Sequence, residues 1–211
     1  MIKLIRGIPV TVTLIILNII MFLIAEIMGG SKDVGVMIKM GASYAPFITE
    51  GKEYYRLFTC MFLHFGIGHL FNNMLLLFFL GEILESTIGK MRFAVIYLLG
   101  GLIANVVSLW VDLRLTPDMM PVSAGASGAV FAIIGAILCV LVLDRGRMPS
   151  LTIQRFILMI VLALWQGFTG ESVDNAAHVG GLIAGFGMAL VLYKRTVKPP
   201  INEDEMDGHL E

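Results

Sequence analysis

Gly125-Ala126-Ser127-Gly128 stands at the head of an apolar run that continues to Leu143, and Ala177-His178 stands near the head of another that continues to Tyr193. A hydroxyl and an imidazole are expensive in hydrocarbon, so polar side chains retained there mark a function or a specific partner. That the solvent is hydrocarbon follows from the rest of the chain. Of its 211 residues 57% are apolar and 15% charged, with a mean hydropathy of +0.87, which is too much apolar surface for a water-facing exterior. A net charge of −1 offers no basic field for nucleic acid. The two cysteines, Cys60 and Cys139, lie within or beside apolar segments and read as buried free thiols.

Six runs are long enough to cross the roughly 30 Å of a bilayer core: Pro9 to Ile27, Ile67 to Leu84, Phe93 to Val111, Ser127 to Leu143, Thr152 to Phe168 and Asn175 to Tyr193. The expected fold class is therefore all-α, a polytopic bundle of six transmembrane helices occupying residues 1–198. The first run follows Lys3 and Arg6 without a small-x-small cleavage site behind it, and reads as a retained helix rather than a removed signal. Residues 199–211 follow Pro199-Pro200, carry Glu203, Asp204, Glu205, Asp207 and Glu211, and are expected to form a disordered acidic tail. Six spans place both termini on one side. That side holds ten Lys and Arg residues, among them Lys90, Arg92, Arg145 and Arg147, against Lys32, Lys39, Lys52, Arg56 and Arg114 on the other, which predicts cytoplasmic termini. The connection from Met28 to Cys60 mixes Val34, Met37, Ile38 and Phe47 with Gly, Lys and Thr, the composition of a structured interfacial loop. It reads equally as a packed external cap or as a lateral guard where a substrate docks.

With this orientation the second, fourth and sixth spans run inward, and each carries its polar residues early. At 1.5 Å per residue, Ser127 lies roughly 25 Å above Asp144, His178 roughly 24 Å above Lys194 and His69 roughly 24 Å above Glu85. Three spans thus bring Ser127, His178 and His69 to one level just below the outer boundary. His69 and Asn73, four apart, share a helix face, whereas His64 precedes the helix and reads as a structural histidine. Small residues recur at spacing four, as Ala177, Gly181, Gly185 and Ala189 on the sixth span and Gly128, Ala132 and Ala136 on the fourth. Such stripes let helix backbones approach without lipid between them, and contact through them sets Ser127 beside His178.

Acyl transfer needs a nucleophile, a base and donors for an oxyanion. By residue type Ser127 is the nucleophile and His178 the base, with the Ser127 N–H, the Asn73 amide and His69 as oxyanion donors. Asp174 is four before His178 but nearer the water, which favours a dyad over a triad. Phe131, one turn after Ser127, supplies a ring on which the imidazole can stack. A metal site wants three or four ligands, and His69 and His178 lack an obvious third, so no metal or organic cofactor is expected. A small transporter would place ionisable residues mid-span or show a repeat, and a silent helix-binding scaffold would have no use for both Ser127 and His178.

These residues resemble the rhomboid family of intramembrane serine proteases. The resemblance covers residues 8–195 and rests on His69-Leu70-Phe71-Asn72-Asn73, Gly125-Ala126-Ser127-Gly128 and Ala177-His178-Val179-Gly180-Gly181 with Gly185. It implies a six-helix serine endopeptidase in the cell membrane, with Ser127 and His178 as the catalytic pair. His69, Asn73 and the loop kept compact by Gly125 match the oxyanion side. Its expected partners are lipid and single-span transmembrane substrates, cut near the outer face. The chain departs from the family's frequent Trp-Arg at Tyr55-Arg56 and from its frequent Tyr at Phe131, changes that bear on substrate preference rather than on bond making.

Overall fold

The computed structural model describes residues 7–115, 117–144, 156 and 174–193. Apart from Phe156, the expected fifth span lies outside the described residues, as does the acidic tail. Among those described, five apolar helices build a bundle: α1 (Pro9–Ile27), α5 (Gly66–Ile88), α6 (Lys90–Leu115), α7 (Ser127–Leu143) and α8 (Asn175–Leu192). Three shorter helices lie between α1 and α5, namely α2 (Val34–Lys39), α3 (Ala45–Thr49) and α4 (Arg56–Thr59), the last running into a 3₁₀ turn at Cys60–Phe62. The bundle is a membrane fold. Ile16, Ile20 and Leu23 of α1 are about half exposed, and a continuous apolar surface of that kind is stable only against lipid.

Helix α1 starts with Pro9 at its first position, where a missing N–H costs nothing. No side chain at Ile8 caps it, and the cap comes instead from 74 residues away. The buried Glu85 carboxylate accepts the N–H groups of Val10 at 3.0 Å and Thr11 at 2.8 Å, and the Thr11 hydroxyl at 2.7 Å. These are two of the donors that a helix start leaves unpaired, and a carboxylate also suits the positive end of the helix dipole. One turn earlier on α5, a Cβ at Gly81 would meet Thr11 Oγ1 at 2.6 Å, so the Thr11 side chain of α1 rests directly on the α5 backbone.

Helices α5 and α6 both outrun the spans expected from hydropathy, reaching Ile88 and starting at Lys90. The apolar run ends where hydrocarbon ends, but the backbone has no reason to stop there. Gly89, at φ +87°, a backbone conformation that favours glycine, makes the turn between them.

The connection between α1 and α5 is a packed cap organised by Arg56, which is 4% exposed. Its guanidinium donates to the carbonyls of Ile38 at 2.6 Å and Ala42 at 3.1 Å and to Glu53 at 2.7 Å, and lies 4.9 Å from the Phe47 ring centre. Glu53 also accepts the Tyr55 hydroxyl at 2.8 Å. Hydrogen bonds from Tyr55 and then Arg56 hold its carboxyl below the usual carboxylate range. A two-residue ladder, Ser43 with Ser123 and Tyr44 with Val122, ties this cap (β1, Ser43–Tyr44) to the strand that leads toward Ser127 (β2, Val122–Ser123).

Helices α6, α7 and α8 meet through glycines. A Cβ at Gly181 would strike the Gly128 carbonyl, one at Gly185 the Ala132 carbonyl, and one at Gly135 the Leu182 carbonyl. Residue numbers rise together along both helices, so α7 and α8 are parallel. Gly101 faces Ala129, Gly100 faces Ala132 and Ala104 faces Gly128, which sets α6 antiparallel to them. The Glu85 cap gives a direct test. Glu85→Ala is expected to lower unfolding stability in detergent by about 2 kcal/mol or more, because it strands buried donors, and Glu85→Gln by distinctly less. Equal thermal melts for Glu85→Ala and the parent would remove this role.

Candidate active site

Ser127 is the first residue of α7, His178 the fourth of α8 and His69 the fourth of α5. Because these helices start at the same end of the bundle, all three side chains belong to that end. Each is partly exposed, whereas Asn73, one turn deeper than His69, is fully buried.

The backbone entering Ser127 is held from below by the turn before α5. The Gly125 N–H donates to the Cys60 carbonyl at 3.0 Å, and the Ala126 N–H donates to His64 Nε2 at 3.3 Å. Gly125 has φ +150°, a conformation that disfavours side chains. A Cβ there would also meet the His69 ring, with Cε1 at 2.9 Å and Nε2 at 3.0 Å, and would lie 3.8 Å from Ser127 Oγ. Glycine at 125 is thus what lets the His69 imidazole and the Ser127 hydroxyl share one small space. Asn73 donates to the His69 carbonyl at 3.0 Å, so it braces the same turn of α5.

On the other flank the His178 ring lies flat on Phe131, with centroids 4.1 Å apart and planes 9° from parallel. Phe131 is one turn after Ser127, and a Cβ at Gly128 would sit 3.7 Å from that of Ala177. The neighbours of both catalytic candidates are therefore in contact. At the start of α7, the Ser127 N–H is one of the donors that an α-helix leaves without an internal partner.

Asp174 is occupied elsewhere. It caps α8 by accepting the Ala177 N–H at 2.9 Å, and its second oxygen accepts the Ser108 hydroxyl of α6 at 2.5 Å. Cys60 is a second potential nucleophile nearby, but burial, reinforced by the Asp174 charge, pushes its thiol up to about 12. It stays a thiol, its sulfur accepting the Asn105 side-chain N–H at 3.1 Å. Burial, and then the neighbouring His69, hold His64 well below the ordinary histidine range, which keeps it neutral. From sequence alone His64 is only a structural residue at or above the helix start. The signal available was Gly66 between the two histidines, whose φ of +81° breaks the helical register and turns His64 toward the Ser127 loop.

A helical membrane protein that gathers a serine, two histidines and a glycine-compacted loop at one end of its bundle belongs to a restricted class. The Rhomboid domain model matches residues 51–195. Rhomboid protease GluP of Bacillus subtilis (strain 168) is 38% identical over 182 residues, covering 86% of this chain and 34% of that protein. RHOMBOID-like protein 5 of Arabidopsis thaliana is 39% identical over 159 residues, covering 74% of this chain and 50% of that protein. The chain belongs to the rhomboid family. It spans between a third and a half of the length of these relatives.

Asp174 as a helix cap predicts that Asp174→Ala lowers stability by about 0.5–2 kcal/mol while Asp174→Asn, which offers the same acceptor, stays closer to the parent. Thermal unfolding of the purified variants measures this. Identical melts for Asp174→Ala and the parent would contradict it.

Proposed function

We propose that the protein is an intramembrane serine endopeptidase that hydrolyses peptide bonds in or near the transmembrane segments of single-span membrane proteins. Its active site lies near the outer face of the cell membrane, with both termini cytoplasmic. One observation carries the reading: the His178 ring is stacked on Phe131 one turn from Ser127, and Gly125 leaves room for His69 beside the serine. Family membership and the likeness to Rhomboid protease GluP support it, as does the excess of basic residues on the proposed inner side.

In this mechanism the Ser127 hydroxyl hydrogen-bonds to the His178 imidazole. The hydroxyl oxygen attacks the scissile carbonyl carbon while His178 takes its proton. Negative charge gathers on the carbonyl oxygen, where the Ser127 N–H, His69 and the second amide hydrogen of Asn73 stabilise it. His178 returns the proton to the leaving amine, which departs and leaves an acyl-enzyme. Water from the outer side, activated by His178, then releases the acid product and restores Ser127. Phe131 holds the imidazole plane, so no carboxylate is needed to orient it, and Asp174 stays at the helix start. A substrate helix must first unwind to expose its peptide bond, so Gly, Ala or Pro near the outer end of the span should favour cutting.

An alkyl fluorophosphonate separates this reading from a transporter or a helix-binding scaffold. The parent protein is expected to be labelled at Ser127. Ser127→Ala and His178→Ala should lose both labelling and cleavage of a fluorescent transmembrane substrate while keeping the helical signal of the bundle, since neither side chain fills a large core volume. Undiminished cleavage by purified Ser127→Ala would overturn the mechanism.

A further inference from the structure

Four contacts close a ring around His64. Its Nε2 accepts the Ala126 N–H at 3.3 Å; Ala126 is bonded to Gly125; Gly125 gives room to His69, whose Nε2 lies 3.0 Å from where a Gly125 Cβ would be; and His69 meets His64 edge to face, with centroids 5.1 Å apart at 71°. An acceptor at Nε2 requires the neutral tautomer with its proton on Nδ1. That nitrogen is buried and finds no hydrogen-bond partner among the described residues, although His64 is only 1% exposed.

Burying half an imidazole without a partner is unfavourable, and a leucine of similar reach would fill the site at lower cost. Packing alone therefore does not account for a histidine here. What a leucine lacks is the acceptor for the Ala126 N–H, and that acceptor sits one residue before the serine. The neighbouring Gly125 N–H is already fixed by the Cys60 carbonyl at 3.0 Å. The turn itself is anchored from the cap, because the Gly66 N–H donates to Ser31 Oγ at 3.2 Å and Ser31 in turn donates to Glu26. His64 thus joins a braced turn to the one segment whose dihedral angles aim the Ser127 N–H and hydroxyl.

We propose that His64 is a positioning residue for the reaction at Ser127: its Nε2 fixes the Gly125-Ala126 backbone while its ring packs against that of His69, so that the Ser127 hydroxyl, the Ser127 N–H and His69 converge on one point. This rests on the protease reading above. His64 touches neither substrate nor reacting atoms. Its loss should therefore lower kcat and leave KM close to the parent value, the mark of an interaction expressed only in the transition state.

The test compares His64→Gln, whose side-chain oxygen reaches about as far as Nε2, with His64→Leu in purified full-length protein. The fluorophosphonate labelling rate of Ser127, substrate turnover and thermal melts are followed together. His64→Leu is expected to fold, to label about 10- to 10²-fold more slowly, and to lose kcat by the same factor with KM within about twofold, while His64→Gln stays within about threefold of the parent. If His64→Leu does not fold, His64→Asn, whose acceptor falls one bond short of Ala126, takes its place with the same expected loss. Parent-like labelling by folded His64→Leu or His64→Asn overturns the proposal, and so does a folded His64→Gln that labels more than about tenfold slowly. An unlabelled parent protein overturns the protease reading and this proposal with it, whereas a labelled parent confines any failure to His64.

Discussion

Between α7 and α8 the backbones touch. Gly181 lies against the carbonyl of Gly128 and Gly185 against that of Ala132, with no room for a methyl group at either place. In lipid no hydrophobic force drives two apolar helices together, because the tails are as apolar as the side chains. What remains is close van der Waals contact, and it is available only where the side chains have been removed. This contact fixes the level of Ser127 against that of His178, since both stand beside its outermost members, Gly128 and Ala177. Helix α6 joins the same seam through Gly100 and Gly101, so three helices near the site are registered by small residues rather than by bulky ones.

Polar fastenings take over where the seam ends. Asp174 ties the start of α8 to Ser108 of α6, Glu85 caps α1 from the last turns of α5, and Arg56 gathers the carbonyls of the cap. Each satisfies groups that the interior would otherwise leave unpaired. The result is a candidate site whose side chains, Ser127, His178 and His69, sit on the first turns of helices, while one loop, entering at Gly125, leads into the serine. Rigid supports of this kind are what pre-organised catalysis requires.

The membrane-spanning, helical character of the chain and its family were legible in the sequence, because apolar length is a direct reading of bilayer thickness and because three motifs fell on three separate spans. Helix ends were less legible. Hydropathy marks where hydrocarbon stops, and α5 and α6 continue past it to Gly89. The Glu85 cap was invisible for a different reason: its partners, Val10 and Thr11, are 74 and more residues away, and nothing local in either segment announces the pairing. At the candidate site, residue types and small-residue stripes could be read directly. The contact of His64 with the Ala126 N–H and with His69 could not, since two histidines five apart do not share a helix face, and only the break at Gly66 brings their rings together. Phe131 lacks the hydroxyl common at its place in the family, yet the flat stack on His178 uses only the ring.

The central claim is that the Ser127 hydroxyl and the His178 imidazole meet. An isocoumarin bearing a second electrophile acylates a serine and then alkylates an imidazole only if one stands within reach of the tethered adduct. Peptide mapping by mass spectrometry after reaction with the folded protein in lipid reads this directly. The account predicts one cross-linked species joining the Ser127 peptide to the His178 peptide, absent from Ser127→Ala. An adduct on Ser127 that never bridges to His178, even when His69→Ala removes the neighbouring imidazole, would contradict it.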